Sequence, residues 1–500
     1  MVPETRVRAV NDRPVNPDGT YVVYWMTSAR RVTWNFGLQR AVEYANQFKK
    51  PLIIFEALRV DYPHANDRLH RFMLDGMADN LRRAARSRAI YYPYVEPARD
   101  RAKGLLEALA KDACIVVTDW YPVYFLPRMI RAAGKKLDVK LEAIDANGII
   151  PLASHGRAFT AARFYRSFVQ KSLLTHLTPV PIADPLRALR PSRGKRSLPR
   201  AIARRWPAAT ARTLTSTKTL AALPIDHAIP PANIRGGATA ARKVLRAFIA
   251  SKLRRYDADR NHPDQDATSG LSPYLHFGHL SAHEIFAAVM THERWTSRKL
   301  QPSHAGAREG WWGVSPAADA FLDQLVIWRE LAFNACEYVP DATSYDSLPD
   351  WARGTIAAHQ SDPRPHRYSL ARLEAAQTSD PIWNAAQREL ASTGWFHGYM
   401  RMLWGKKIFE WSASGRQALE RMQSLMDRYA LDGRDPNSYA GYAWVLGRYD
   451  RPWPERPVFG TLRYMTSESA RRKLRLTRYL ERYGDPGDPA AAPPRKRVKS

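Results

Sequence analysis

The first 150 residues repeat one pattern, a short apolar run followed by an amphipathic stretch, and that alternation constrains the fold more than any other feature. YVVYWM, PLIIFEAL, IYYPYV, CIVVTDW and VKLEAI are the apolar runs, and segments such as RLHRFMLDGMADNLRRAA separate them. Runs without internal polar alternation suit strands buried on both faces, and helices between them supply the crossovers that parallel pairing needs. A doubly wound parallel sheet follows for residues 1–150. The first run leads into MTSARRV rather than GxGxxG, so the dinucleotide fingerprint is missing. From about Gly236 the period changes: ATAARKVLRAFIASKL, AADAFLDQLVIWRELAFNAC, PIWNAAQRELAST and FHGYMRMLWGKKIFEW place apolar residues three and four apart. The expected fold class is α/β plus α, a Rossmann-like sheet domain followed by an all-helical domain over residues 236–484.

Residues 151–235 are expected to connect the two. Between Pro185 and Ile225 there is no acidic residue, and RALRPSRGKRSLPRAIARRW is dense in arginine and proline. Such a stretch is not expected to bury a core. It is a basic inter-domain linker, either merely solvated or also touching phosphates. The end, DPGDPAAAPPRKRVKS over residues 485–500, is low-complexity and basic, which suits a disordered tail; a nuclear address or a weak DNA tether are the alternatives.

The chain has 500 residues, and 77 Lys plus Arg against 48 Asp plus Glu give a net charge of +29. A cation of that size points to a polyanionic partner, nucleic acid first. Two cysteines, Cys114 and Cys336, lie far apart without metal-ligating neighbours, so neither a disulfide framework nor a metal site is expected. No apolar run has the length of a bilayer crossing, and MVPETRVRAVNDRPVNPDG lacks a signal-peptide core. A soluble, intracellular protein is expected.

Thr268 to Ser281, TSGLSPYLHFGHLS, sets hydroxyls and a glycine ahead of a helix start, where free N–H groups suit a diphosphate, though an ordinary capped helix would read the same. Its wording, T-S-x-L-S-P-Y-L-x-x-G-x-L-S, closely resembles the flavin-diphosphate loop of the photolyase and cryptochrome family. IWRELAFN, SDPIWNAAQREL, FHGYMRMLWGKKIFEW, LDGRDPNSYAGYAW and ERPVFGTLRYM resemble successive signatures of class II cyclobutane pyrimidine dimer photolyases, over about Tyr256 to Met465. A weaker echo is YWMTSARRV. The resemblance implies a U-shaped FAD in the helical domain, an antenna-type front domain, and light-driven electron transfer onto a DNA lesion.

Residue roles follow from the same resemblance. FAD would be held by Tyr256, Thr268, Ser269, Gly270, Leu271, Ser272, Arg329, Arg401, Asp432 and Asn437, with Arg401 and Asp432 paired beside the isoalloxazine. Trp404 and Trp411 are seven residues apart and so share a helix face about 10 Å apart along the axis, which by itself suits a core stripe. Carried over from the family, Trp404 is next to the flavin, Trp383 intermediate and Trp411 the solvent-side donor of an electron-hopping triad. Photolyases flip their target from the duplex; Trp328 and Trp444 would wall the dimer pocket, Met402 floor it, and Arg260 with Asn261 rim it. Trp453, Arg456 and Arg463 would lean into the opened duplex or hold phosphates.

Two positions depart from the family: Met426 replaces an asparagine facing flavin N5, and Gln324 a glutamate that bonds the dimer carbonyl. Methionine is a weak acceptor and no donor, whereas glutamine keeps an N–H. TSARRVTWNF also departs from the usual S-R-D-Q-R-V-x-D-N-W. The expected function is a deoxyribodipyrimidine photo-lyase, with a cryptochrome-like flavin photoreceptor as alternative. Expected partners are ultraviolet-damaged DNA and no membrane, for a monomer in the cytoplasm, on the nucleoid in a bacterium or in a nucleus if the tail is an address. A deazaflavin-type antenna is suggested by the family, and no residue decides it.

Overall fold

The five apolar runs of the front half become five strands in a computed structural model that describes residues 1–194, 196–301 and 306–485. They are β2 (Tyr21–Met26), β3 (Leu52–Leu58), β4 (Ile90–Val95), β5 (Ala113–Trp120) and β6 (Leu141–Asp145), joined by β1 (Val7–Ala9). The order is β1-β6-β5-β2-β3-β4, and every pairing is parallel except β1 with β6. All residues of β2 and β5 are buried, because helices cover both faces. Val22, Tyr24 and Met26 enter one core, and Tyr21, Val23 and Trp25 the other. The three residues of β1 are too few to show a period, so the sequence offered no sign of that edge strand.

The first βα turn shows why no dinucleotide fingerprint is present. Where such a turn would offer amides to a phosphate, Thr27, Ser28 and Ala29 donate theirs to Oδ2 of Asp119 at 2.9–3.0 Å. Tyr24 donates its hydroxyl to the other oxygen at 2.6 Å. The protein's own carboxylate fills the anion site.

Residues 185–225 correct one expectation. Leu186, Leu189, Ile202, Trp206, Leu214, Leu220 and Leu223 are buried, while Arg187, Arg190, Arg193, Arg200, Arg204 and Arg212 are exposed. The stretch forms no core of its own, yet its spaced apolar residues anchor it as a strap on surfaces built by other elements. Composition reports on self-association, not on docking. The tail expectation lies outside the described residues from 486 onward.

Helices dominate after Gly237, and their junction with the sheet domain is polar and tight. Glu330 accepts from the amides of Ile149 (2.7 Å) and Ile150 (3.1 Å), and Arg31 Nη1 donates to the carbonyl of Gly278 (3.0 Å). Gly278 has φ +66° there, and a Cβ would lie 1.8 Å from the Ser28 carbonyl oxygen. Only glycine satisfies both the dihedral and the approach. Among the described residues no helix is long and apolar enough to cross a membrane, and no group of His, Cys, Asp and Glu could hold a metal.

Candidate active site

The TSGLS loop leads into a short helix, Ser272–His276, which runs up to the DGRDPN turn: His276 Nδ1 lies 3.5 Å from Asp435 Oδ2. Tyr121 of the sheet domain donates to the same carboxylate at 2.8 Å. Burial pushes the Asp435 carboxyl up, but the bond and charge of His276 with the charge of Arg329 outweigh it and bring it down to about 2. Asp435 also caps the Pro436–Val445 helix, accepting from the amide of Asn437 (2.9 Å) and from its side chain (2.7 Å). The hydroxyls of Thr268 and Ser272 have no partner among the described residues, and Gly270 has φ +66°.

Arg401, on the Gly398–Glu410 helix, grips both oxygens of Asp432 through Nη2 at 3.1 and 3.2 Å and reaches Ser438 Oγ at 3.4 Å. Its Nε is buried without a partner, as is that of Arg260. Arg260 lies 5.5 Å over the Tyr256 ring, and His397 Nε2 donates to its carbonyl at 2.9 Å. These unused donors mark room for a ligand's acceptors. Arg329 instead gives Nη1 to the Asn147 carbonyl at 2.8 Å.

Trp404 and Trp383 are fully buried and parallel, their ring centroids 6.4 Å apart with an interplanar angle of 1°. Trp411 follows edge-on to Trp383 at 5.3 Å. Phe396 joins this row to the ion pair, edge-on to Trp404 at 5.6 Å with Arg401 5.1 Å over its ring. The expectation of a solvent-side Trp411 is corrected: it is 3% exposed, with Tyr368 packed edge-on at 5.0 Å. Its place at the end of a helix suggested an exposure that the later fold removes. Met426 is wholly buried in the same core, on the Gly415–Tyr429 helix.

Gln324 and Trp328 lie half-buried on a π-helical turn, Asp323–Trp328, and Gln324 keeps its amide without a partner among the described residues. Trp328 and Trp444 do not stand as opposite walls. They stack at 5.1 Å and 16°, leaving no gap for a base, and form one aromatic face. With 116 residues between them, sequence could not tell facing from stacking. Met402 is half-buried and Asn261 exposed. Trp453 is 41% exposed, with Arg463 5.4 Å over its ring, and Arg456 lies 5.2 Å over Tyr464.

Two buried charges were missed in the sequence. Lys406 Nζ donates to the Val445 carbonyl at 2.6 Å, and burial brings its ammonium down to about 7. Its helix is buried almost all round, so the period did not separate Lys406 from the half-buried Lys407. Asp427, beside Met426, is held by burial at about 7, and its Oδ1 has no partner.

Comparison with known proteins draws these observations together. No protein-family model matches the chain. The deoxyribodipyrimidine photo-lyase of Methanothermobacter thermautotrophicus is 36% identical over 484 residues, 96% of this chain and 98% of that one. The chain belongs to the photolyase/cryptochrome family. The rice enzyme of the same name is 33% identical over 95% of this chain and 90% of its own, and that of Potorous tridactylus 30% over 97% and 85%. A crystal structure of a bacterial class III photolyase from Agrobacterium tumefaciens shares the fold, with a TM-score of 0.64 at 16% identity over 93% of this chain and 86% of that chain. FAD is the cofactor of this family, and the residues present fit it: a hydroxyl and glycine loop with free acceptors and donors, and a buried Arg401 Nε that lacks a partner.

Proposed function

We propose that the chain is a light-driven DNA lyase of the class II type, a deoxyribodipyrimidine photo-lyase that acts as a monomer on cyclobutane pyrimidine dimers in ultraviolet-damaged DNA. The observation that carries this reading is the indole row from Trp411 through Trp383 to Trp404, which ends one ring from the Arg401–Asp432 pair. When bound, FAD supplies the photoexcitable electron donor. Thr268, Ser269, Gly270, Leu271 and Ser272 hold its diphosphate, and Arg401 with Asp432 orients its ring. Tyr256 and Asn437 bound the same space, and Arg329 supports it from the domain junction. Ring-to-ring spacings of this order let the indoles pass electrons inward from Trp411 to Trp404.

The lesion stacks on the joint Trp328–Trp444 face, above Met402, and Gln324 donates its unused N–H to a dimer carbonyl. Arg260 and Asn261 rim that space. Trp453, Arg456 and Arg463 lie on the exposed side and take the duplex backbone.

A second ligand suits the sheet domain. A cavity of about 750 Å³ opens at the carboxyl ends of β2 and β3, near the point where strand order reverses between β2 and β5. Its wall includes Trp25, Phe55, Tyr62, Tyr124 and Arg434. Arg434 lies 5.8 Å over Tyr62 with Nη1 buried and unpartnered. A planar chromophore carrying an acidic or carbonyl group, such as a deazaflavin, fits that chemistry as an antenna.

Oligonucleotides carrying one cyclobutane dimer or one (6-4) product, illuminated with reduced protein, test the reading. Restoration of the first alone is expected. Met426 and Gln324 favour the photoreceptor alternative, which holds if bound flavin is photoreduced and neither lesion is reversed.

A further inference from the structure

The segment that follows the lesion face is held from below by one histidine. His359 ends the Asp350–Ala358 helix, with Nδ1 2.7 Å from Asp362 Oδ2 and Nε2 2.8 Å from Glu455 Oε1. Carboxylates only accept, so both contacts are hydrogen bonds when both ring nitrogens carry protons; a neutral imidazole turns a lone pair toward one of them. Asp362 Oδ2 also accepts from the amide of Val458 at 2.8 Å. Val458 has φ +67°, a left-handed conformation that a β-branched residue adopts only under constraint. Arg456 and Gly460 exchange backbone bonds of 3.0 and 2.7 Å across that turn, and the Thr461 amide donates to Thr355 Oγ1 at 2.9 Å. Val458 and Phe459 are buried while residues 451–457 are exposed, so the segment stands on an anchored base and presents Trp453 and Arg456 outward.

We propose that His359 is a positioning residue for DNA binding: as an imidazolium between Asp362 and Glu455 it fixes the strained turn that presents Trp453 and Arg456, and the grip on duplex weakens when it loses its proton. The proposal rests on the reading that this segment meets DNA. Loss of the proton also frees Glu455, a carboxylate adjacent to Arg456, to compete with phosphate. The hydrogen bonds of Asp362 and Glu455 hold the His359 pKa above its ordinary value, so grip is full at lower pH and falls as pH rises through that raised value. Those two carboxylates face the ring, with Arg364 acting on Asp362 from the neighbouring turn.

The test measures affinity for a damaged duplex from about pH 6 to about pH 8.5, a range spanning the histidine titration, in wild type, His359→Gln, Asp362→Asn and Arg456→Ala. Wild type is expected to lose about tenfold in affinity, the worth of one charge-assisted hydrogen bond. His359→Gln starts weaker and lacks most of that slope, with its flavin content and affinity for a short damaged single strand retained. Asp362→Asn shifts the fall to lower pH. If Arg456→Ala weakens duplex binding but His359→Gln keeps the wild-type slope, the positioning role is wrong and the contact reading stands. If Arg456→Ala binds duplex as wild type does, the contact reading fails and the proposal with it.

Discussion

Lys406 gives the residue scale its most direct pH signature. An exposed lysine in the unfolded chain keeps its ordinary pKa near 10.4, whereas in the fold burial brings it to about 7. Between those values the unfolded chain binds a proton that the folded one refuses, so stability rises with pH across that window and the burial penalty is full below it. Lys406→Met fills the same space without the charge. Its thermal midpoint is expected to exceed that of wild type at about pH 6.5 by about 2 °C or more, and the gain to shrink at about pH 9.5. Equal gains at both pH values would show that Lys406 does not titrate in this window. Trp404 belongs to the electron path instead: Trp404→Phe is expected to abolish photoreduction of bound oxidised flavin, read by absorbance, while chemically reduced protein still repairs. Loss of repair in a reduced, folded, DNA-binding variant would contradict that role.

At the scale of elements, the DGRDPN turn is held by charge-assisted bonds more than by apolar packing. Asp432→Asn leaves Arg401 without its carboxylate, its side chain 20% exposed and so partly screened by solvent. A loss of about 2 kcal/mol in urea unfolding is expected, with weaker flavin retention. The domain junction is steric, and Gly278→Ala meets the Ser28 carbonyl and a left-handed dihedral together. It is expected to cost at least about 2 kcal/mol in the same measurement. Elements of this kind divide what sequence makes legible from what it hides. The β2 and β5 runs were readable because burial on both faces leaves every residue apolar. The DGRDPN and TSGLS turns were readable because their order and spacing carry the family's wording. The strap over residues 185–225 was not, since isolated Leu, Ile and Trp residues dock on partners far away in sequence. The stacking of Trp328 on Trp444 and the cover of Tyr368 over Trp411 depend on tertiary placement that no local period encodes.

For the whole molecule, a net charge of +29 and the exposed cations beyond the lesion face make DNA binding strongly salt-dependent. Neutralising Arg456 and Arg463 together is expected to reduce the slope of log affinity against log salt by about 2, one for each phosphate contact. An unchanged slope in the double variant would place the phosphates elsewhere. The sheet domain, the strap and the helical domain then act as one device: a held cofactor, an indole supply line, and a basic surface that presents the lesion. The measurement that tests this most directly follows cyclobutane dimers in ultraviolet-damaged DNA mixed with the reduced, flavin-loaded protein, in the light and in the dark. Dimers are expected to disappear over many turnovers under illumination and to persist in darkness. Dimers that persist in the light, on DNA that the protein demonstrably binds, would contradict the account.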